Sequence, residues 1–311
     1  HLLKIDKENQ YVLYVRKYEK EYETTNYENC KVVIADLPWY GIEEQLKFKK
    51  IIDKEKVDLM HFPHWNAPLF YNKPFVVTVH DLTMYHYPRP ESTTLGPIKF
   101  WLKDKVHRLV VRHTVKRAKK IFVTSEFTKQ DVHNTLKVPM EKMVVIYQAP
   151  FESPKSVKSI KSIKSVIEGE YVLYVGAAYP HKNLETLLKA WKIFCEKHGD
   201  EYKLVLVGKD SYFYNNIQYP ISNIQSVIHL NNVFDDELVS LYQNARLFVF
   251  PSLYEGFGLP PLEAMSYGVP VVSSNRACMP EVLGEAALYF DPENYEQIAN
   301  AIYRGLTDGD V

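Results

Sequence analysis

Runs of a few apolar residues, bounded by Gly, Pro or polar clusters, alternate along this chain with longer stretches whose apolar positions recur at helical spacing. In the first half the short runs predict strands at Tyr11–Val15, Lys31–Ala35, Leu59–His61, Phe75–Val79, Lys120–Thr124 and Met143–Ile146. The longer stretches predict helices at Ile42–Lys54, Pro97–Ala118 and Thr128–Leu136. A Lys/Ser near-repeat, Ser153–Ser165, then interrupts the pattern; it offers no face to a core and reads as a solvated linker or surface loop. Beyond it the alternation resumes, with strands at Tyr171–Val175, Lys203–Val207, Val227–Leu230, Leu247–Phe250 and Pro270–Ser273. Helices are predicted at Leu184–Lys197, near Asp235–Asn244, from Pro261 and at Tyr295–Gly305. Such alternation marks α/β architecture, with parallel sheets flanked by helices. The expected organisation is two Rossmann-like, doubly wound domains over residues 1–150 and 169–311, joined by a linker over 151–168 and facing a central cleft. In such halves a ligand sits at the carboxyl ends of the strands.

Bulk properties narrow the function. At 311 residues the chain is long enough for two domains, each with its own core. Lys+Arg and Asp+Glu both number 38, a balance that argues against a nucleic-acid partner. Cys30, Cys195 and Cys278 lie far apart without CxxC or Cys/His ligand spacing. That argues against a disulfide framework or structural zinc, and a cytoplasmic location fits. No apolar run approaches the ~20 residues of a spanning helix, and no secretory signal is visible in a sequence that opens at His1. There is no P-loop signature, and no Gly-x-Gly-x-x-Gly opens a strand–helix unit, so hydride transfer is disfavoured and no cofactor is expected.

The most informative stretch runs from Leu247 to Pro270. An apolar strand ends in a loop carrying Glu255, Gly256, Phe257 and Gly258, and a helix is expected to start around Pro260-Pro261, where missing N–H groups cost little. The glycines let backbone approach a ligand closely, and the helix start offers free amides and a dipole to an anion. Glu255 in the loop and Glu263, expected in the helix's first turn, would place two carboxylates on one ligand. Taken alone, a Gly-x-Gly of this kind reads as a tight turn with solvated acids.

The block from Pro251 to Pro292 is longer than that, and it resembles the donor site of the retaining glycosyltransferase family 4, of GT-B fold, with its Glu-(seven residues)-Glu motif at Glu255 and Glu263. The resemblance implies that Glu255 meets the donor sugar's hydroxyls and Glu263 the ribose, while backbone from Gly256 to Leu259 contacts sugar and phosphate. Val175-Gly-Ala-Ala-Tyr-Pro-His-Lys-Asn183 is similar to the family's phosphate-binding loop, with Lys182 as its lysine. Ala177, Ala178 and His181 stand where the family often has an arginine in this loop, which leaves phosphate neutralisation resting more on Lys182. Asn232-Val-Phe-Asp235 resembles the base-contacting loop and brings Val233 near the nucleotide. Phe75-Val-Val-Thr-Val-His-Asp-Leu82 resembles the strand that ends in the catalytic-cleft His-Asp, giving His80 a role in orienting the reacting centre and Asp81 one in capping or orienting. Thr124–Thr128 and Val144–Gln148 also match, as scaffold. Residues 1–150 would then be the acceptor side and 169–311 the nucleotide-sugar side. His1–Gln10 reads as the end of the family's first helix, with the strand and glycine-rich loop before it lying outside the sequence. Asp308–Val311 likewise precedes the family's closing helices.

The resemblance implies metal-independent, retaining transfer of a hexose from a nucleotide-sugar, GDP-mannose as first choice, to a glycan or lipid-linked acceptor. The alternative is a sugar-nucleotide-binding chain or inactive fragment; a GT-B epimerase is disfavoured by the Glu pair. His61-Phe-Pro-His64 with His80 and His86 lacks helical ligand geometry, and Asp308-Gly-Asp310 does not follow a strand, so no metal site is expected. Lys99–Lys120 is a basic helix with an available apolar side. Its first reading is a flanking helix on the sheet with solvated lysines; its second is peripheral contact with anionic lipid at the inner face of a membrane.

Overall fold

The computed structural model describes residues 2–17, 27–38, 41, 43–88, 96–150, 167–217 and 224–308. The predicted linker lies outside these residues except for its last two, as do Ile42 and the final residues of Asp308-Gly-Asp310. Two compact units are present. One comprises His1–Val79, Leu102–Phe122 and Leu136–Val144; the other His80–Trp101, Val123–Thr135 and Val145–Val311.

Among the described residues the first half supplies strands β1 (Tyr11–Val15), β2 (Cys30–Ile34), β3 (Met60–Phe62), β4 (Phe75–Val79), β5 (Ile121–Val123) and β6 (Met143–Val145). β1 and β2 pair in parallel, and β3-β4-β5-β6 form a second sheet. The predicted helix at 42–54 is a π turn, Glu44–Phe48, running into an α-helix, Lys49–Glu55. Phe62 meets the rings of Tyr71 and Phe75 edge-on at 5.6 and 5.4 Å. β4 alternates buried and half-buried residues and ends at Val79, directly before His80.

The second half supplies β7 (Tyr171–Val175), β8 (Lys203–Val207), β9 (Val227–Leu230), β10 (Leu247–Phe250), β11 (Val271–Ser274) and β12 (Leu288–Phe290). They form one sheet in the order β12-β11-β10-β7-β8-β9, and every pairing is parallel. The two central strands, β7 and β10, are apolar along their length because helices cover both faces. With side chains alternating across the pleat, Val172, Tyr174, Leu204, Leu206, Leu247 and Val249 pack with Leu187, Trp191, Phe194 and Ile302 on one side. Tyr171, Leu173, Val205, Val207, Phe248 and Phe250 pack with Leu241, Tyr242, Ala264 and Met279 on the other. Trp191 is fully buried, stacks on Phe194 at 4.9 Å and donates its indole N–H to Ser226 Oγ at 3.0 Å.

The topology fixes where a ligand can go. The chain leaves β7 toward β8 and β9, then returns to build β10, β11 and β12 on the other side. The strand order therefore reverses between β7 and β10, the kind of switch point beside which ligands sit in open parallel sheets. The loops that follow these two strands are residues 176–183 and 251–258, the two that the sequence singles out.

Candidate functional site

β7 runs into a 3₁₀ turn, Pro180–Lys182, and then, through Asn183, into the helix Leu184–His198. Asn183 is left-handed (φ 60°), a conformation that asparagine tolerates. Its side-chain amide donates to Pro251 O at 3.1 Å and Pro292 O at 2.7 Å, and Leu253 N donates to His181 O at 2.8 Å. The two loops at the switch point are thus joined by backbone and amide bonds. Lys182 Nζ lies 2.6 Å from Glu255 Oε1, with their side chains 19% and 14% exposed. The ammonium also stands 5.6 Å from the Phe250 ring centroid. A lysine has three donors and a carboxylate about four acceptor sites, so this single bond leaves both partners with capacity for a ligand.

The loop around Glu255 is held on either flank. On one side the Tyr254 hydroxyl donates to the Asp131 carboxylate and accepts from Leu82 N at 3.2 Å. Burial first, and then Asp131, pushes that hydroxyl's pKa far above its ordinary value, so it remains a donor. On the other side the Gly256 carbonyl lies within reach of three hydroxyls: Ser125 at 2.7 Å, Thr124 at 2.9 Å and Thr128 at 3.1 Å. Thr124 Oγ1 also stands 2.8 Å from His80 O. A Cβ at Gly256 would collide with that same His80 carbonyl, so the close approach requires glycine here. The His80 ring has Gln148 Nε2 at 3.3 Å from its Nδ1. Asp81 Oδ1 accepts from Thr83 N at 2.7 Å, a local turn bond just ahead of the helix Thr83–His86.

Gly258 is left-handed (φ 88°) and precedes the helix Leu259–Ser266, so the helix begins earlier than the prolines suggest. Two expectations change as a result. Glu263 falls in the second turn rather than the first, and Pro260 and Pro261 remove two of the N–H groups the first turn would offer. An anion here must rely on the amides of Gly256–Leu259 and on the helix Leu184–His198, whose N-terminus no side chain caps. Glu263 accepts a 2.8 Å bond from the Tyr242 hydroxyl, whose pKa burial and this carboxylate raise. Phe257 is buried, its ring 6.1 Å from that of Tyr147. Val233 packs against the sheet layer that contains Phe248 and Phe250.

The described contacts therefore join Lys182, Glu255, Gly256 and His80 into one group, while those of Glu263 and Val233 run to the Tyr242 side of the sheet. Sequence reasoning missed Asn183 and Glu281. The Glu281 carboxylate accepts from Glu126 N (2.6 Å) and Phe127 N (2.9 Å) at the start of the helix Glu126–Leu136, and from the Tyr147 hydroxyl. An Asn directly before a helical run was a legible turn signal; Glu281 had no local signal. Among the remaining histidines, His61 bonds Thr78 Oγ1 at 2.8 Å and His86 pairs with Asp131 at 3.0 Å. No group of three or more His, Cys, Asp and Glu side chains suited to a metal occurs among the described residues.

The model for glycosyl transferases group 1 matches residues 157–310, and that for glycosyltransferase family 4 matches residues 8–149. The O-antigen chain mannosyltransferase RfbU of Salmonella typhimurium is 30% identical over 284 residues, which is 87% of this chain and 74% of that protein. The chain belongs to the group 1 glycosyl transferases.

Other members agree. The O-antigen chain mannosyltransferase B of Escherichia coli is 30% identical over 80% of this chain and 65% of its own length. Anabaena HepE, solved in complex with UDP and glucose, superposes with a TM-score of 0.67 at 18% identity, covering 91% of this chain and 78% of that one. Sucrose-phosphate synthase from Thermosynechococcus elongatus gives 0.64 at 21%, covering 90% and 75%. These likenesses carry the fold: the chain has the GT-B architecture of the family. It is an enzyme of the glycosyltransferase class.

Proposed function

We propose that the chain moves a hexose from a nucleotide diphospho-sugar to an acceptor hydroxyl with retention of anomeric configuration, GDP-mannose being the first donor to test. The observation that carries the reading is the Lys182–Glu255 pair at the point where the strand order reverses, in a chain of this family. Donor diphosphate would lie against the N-terminus of the helix Leu184–His198, where dipole and free amides favour an anion. Lys182 would turn its spare N–H groups to that diphosphate as charge builds on it. Glu255 and His80 would hold the sugar, the loop Gly256–Leu259 would contact sugar and phosphate, and Glu263 and Val233 would hold the nucleoside. The anomeric carbon's bond to the diphosphate oxygen breaks, the acceptor oxygen bonds to that carbon, and its proton passes to the leaving phosphate.

Two relatives named as O-antigen chain mannosyltransferases support mannose as donor sugar and a polysaccharide chain as acceptor. The free thiols Cys30, Cys195 and Cys278 suit a cytoplasmic site of action. A thermal-shift panel of GDP-, UDP- and ADP-sugars tests donor choice, since ligand at 100 times its Kd adds about 2.7 kcal/mol to stability. A shift with GDP-mannose, and product with an α-linkage on adding acceptor, is the expected result. No shift with any nucleotide-sugar overturns the reading.

A further inference from the structure

The helix Gly96–Arg117 is apolar on two sides. Val110, Val111 and Val115 are buried, as expected of a flanking helix. Away from them Ile98, Trp101, Leu102, Val106 and Leu109 are 51% to 82% exposed. Their spacing of three and four residues puts them on one stripe. Single exposed apolar residues need no explanation; a contiguous stripe of large ones on a single helix does. Exposed Lys99, Lys103, Lys105, Arg112 and Lys116 accompany the stripe. The one acid on the helix, Asp104, is bonded to Arg108 at 2.7 Å.

We propose that this helix docks the protein on an anionic lipid surface, lying in the plane of the interface. The stripe would sink about 5–10 Å into the boundary between headgroups and acyl chains while the lysines meet lipid phosphates. The charge pattern selects this occupant over a second copy of the chain. A symmetric contact sets the same patch against itself, which here would press lysine against lysine, while Asp104, the helix's one acid, is already bonded to Arg108. An anionic bilayer supplies both the missing charge and the apolar interior. The buried valines meet the first expectation for this helix, and the second is the one the proposal takes up.

The test uses the full chain and vesicles of phosphatidylcholine alone or mixed with phosphatidylglycerol. The protein should sediment with the mixed vesicles at low salt, stay behind with the neutral ones, and release as salt rises through the screening range. Trp101→Ser with Leu109→Ser should weaken binding about tenfold or more, as should Lys103→Glu with Lys105→Glu. These positions are exposed, so circular dichroism and the donor-induced thermal shift should stay unchanged, which separates this inference from the donor-site reading. Equal sedimentation of wild type and both variants overturns it. So does failure to bind either vesicle, or a dimer in ultracentrifugation that the Trp101→Ser/Leu109→Ser variant dissociates without altering lipid binding.

Discussion

Lys182 Nζ and Glu255 Oε1 are 2.6 Å apart, and each comes from the loop that follows one of the two strands at the centre of the six-stranded sheet. Neither side chain is fully buried, yet each fixes the other before any ligand arrives. Lys182→Ala and Glu255→Ala should each reduce transfer by about 10²–10³-fold, the usual range for removing a preorganised electrostatic group. Each should also cost about 1–3 kcal/mol by leaving its partner unpaired in a partly buried place. Because that cost is shared, the double variant Lys182→Ala/Glu255→Ala should be less destabilised than the two single changes summed. Urea unfolding of the four proteins measures the coupling, and strict additivity would refute it.

Gly256→Ala places a methyl group against the His80 carbonyl. The loop must move, so donor affinity should fall by at least about tenfold alongside a stability loss of about 1–3 kcal/mol, the range for overpacking. Titration with donor and a melting curve on the same sample check both at once. Wild-type donor affinity would show that the loop is free to relocate.

Tyr254→Phe deletes the hydroxyl that Asp131 and Leu82 N share. Leaving those groups without it should cost about 1–3 kcal/mol. Asp131→Asn keeps an acceptor and should cost less, a ranking that chemical denaturation resolves.

Glu281→Gln tests the cap on the helix Glu126–Leu136. The amide keeps one acceptor oxygen but loses the charge that faces the helix's positive end, for an expected loss of about 1 kcal/mol. That helix carries Thr128 and follows Ser125, which hold Gly256. The substitution should therefore lower kcat more than it raises KM for donor; unchanged kcat would make the cap purely structural.

His107 supplies a pH dependence. Burial lowers its pKa from the ordinary 6.5, with Asp104 opposing and Arg108 and Lys103 adding to the shift. The unfolded chain takes up this proton first as pH falls. The stabilising contribution is complete above the unfolded value and is lost as pH drops toward the folded one. His107→Phe, which retains a ring against Trp65 at the site where the rings now lie 4.3 Å apart, should lose less stability than wild type between about pH 7.5 and pH 5.5. Parallel urea titrations give the difference; identical slopes would exclude His107.

Much of the fold was legible because parallel strands buried on both faces write themselves as dense apolar runs. β7, β8, β9 and β10 have the bounds that their sequence pattern predicts. β12 and the helix Met279–Leu283 escaped, being short and partly exposed, and thus too brief for periodicity to register. At the site, the residues within one loop were readable: Glu255, Gly256 and Lys182 sit where turn and strand ends put them. What a linear pattern cannot reveal is reach across the chain. Ser125 grips a carbonyl 131 positions away, and Glu281 caps a helix 155 positions before it. Pro260 and Pro261 misled in a simpler way: proline is tolerated throughout a first turn, so it marks a helix start without fixing the first residue.

The hydroxyl cluster beneath Gly256 has a mechanical consequence. Thr124 stands between two acceptors, the carbonyls of His80 and Gly256, at 2.8 and 2.9 Å, and Thr128 lies within 3.5 and 3.1 Å of the same two. A hydroxyl has one hydrogen and a freely turning bond, so each threonine can trade one oxygen for the other by rotation alone. Any shift of the Gly256 peptide would pass through these rotors to the strand end next to His80. The Gly256 peptide and the end of β4 are thereby coupled by hydroxyls that keep their hydrogens and change only their acceptor.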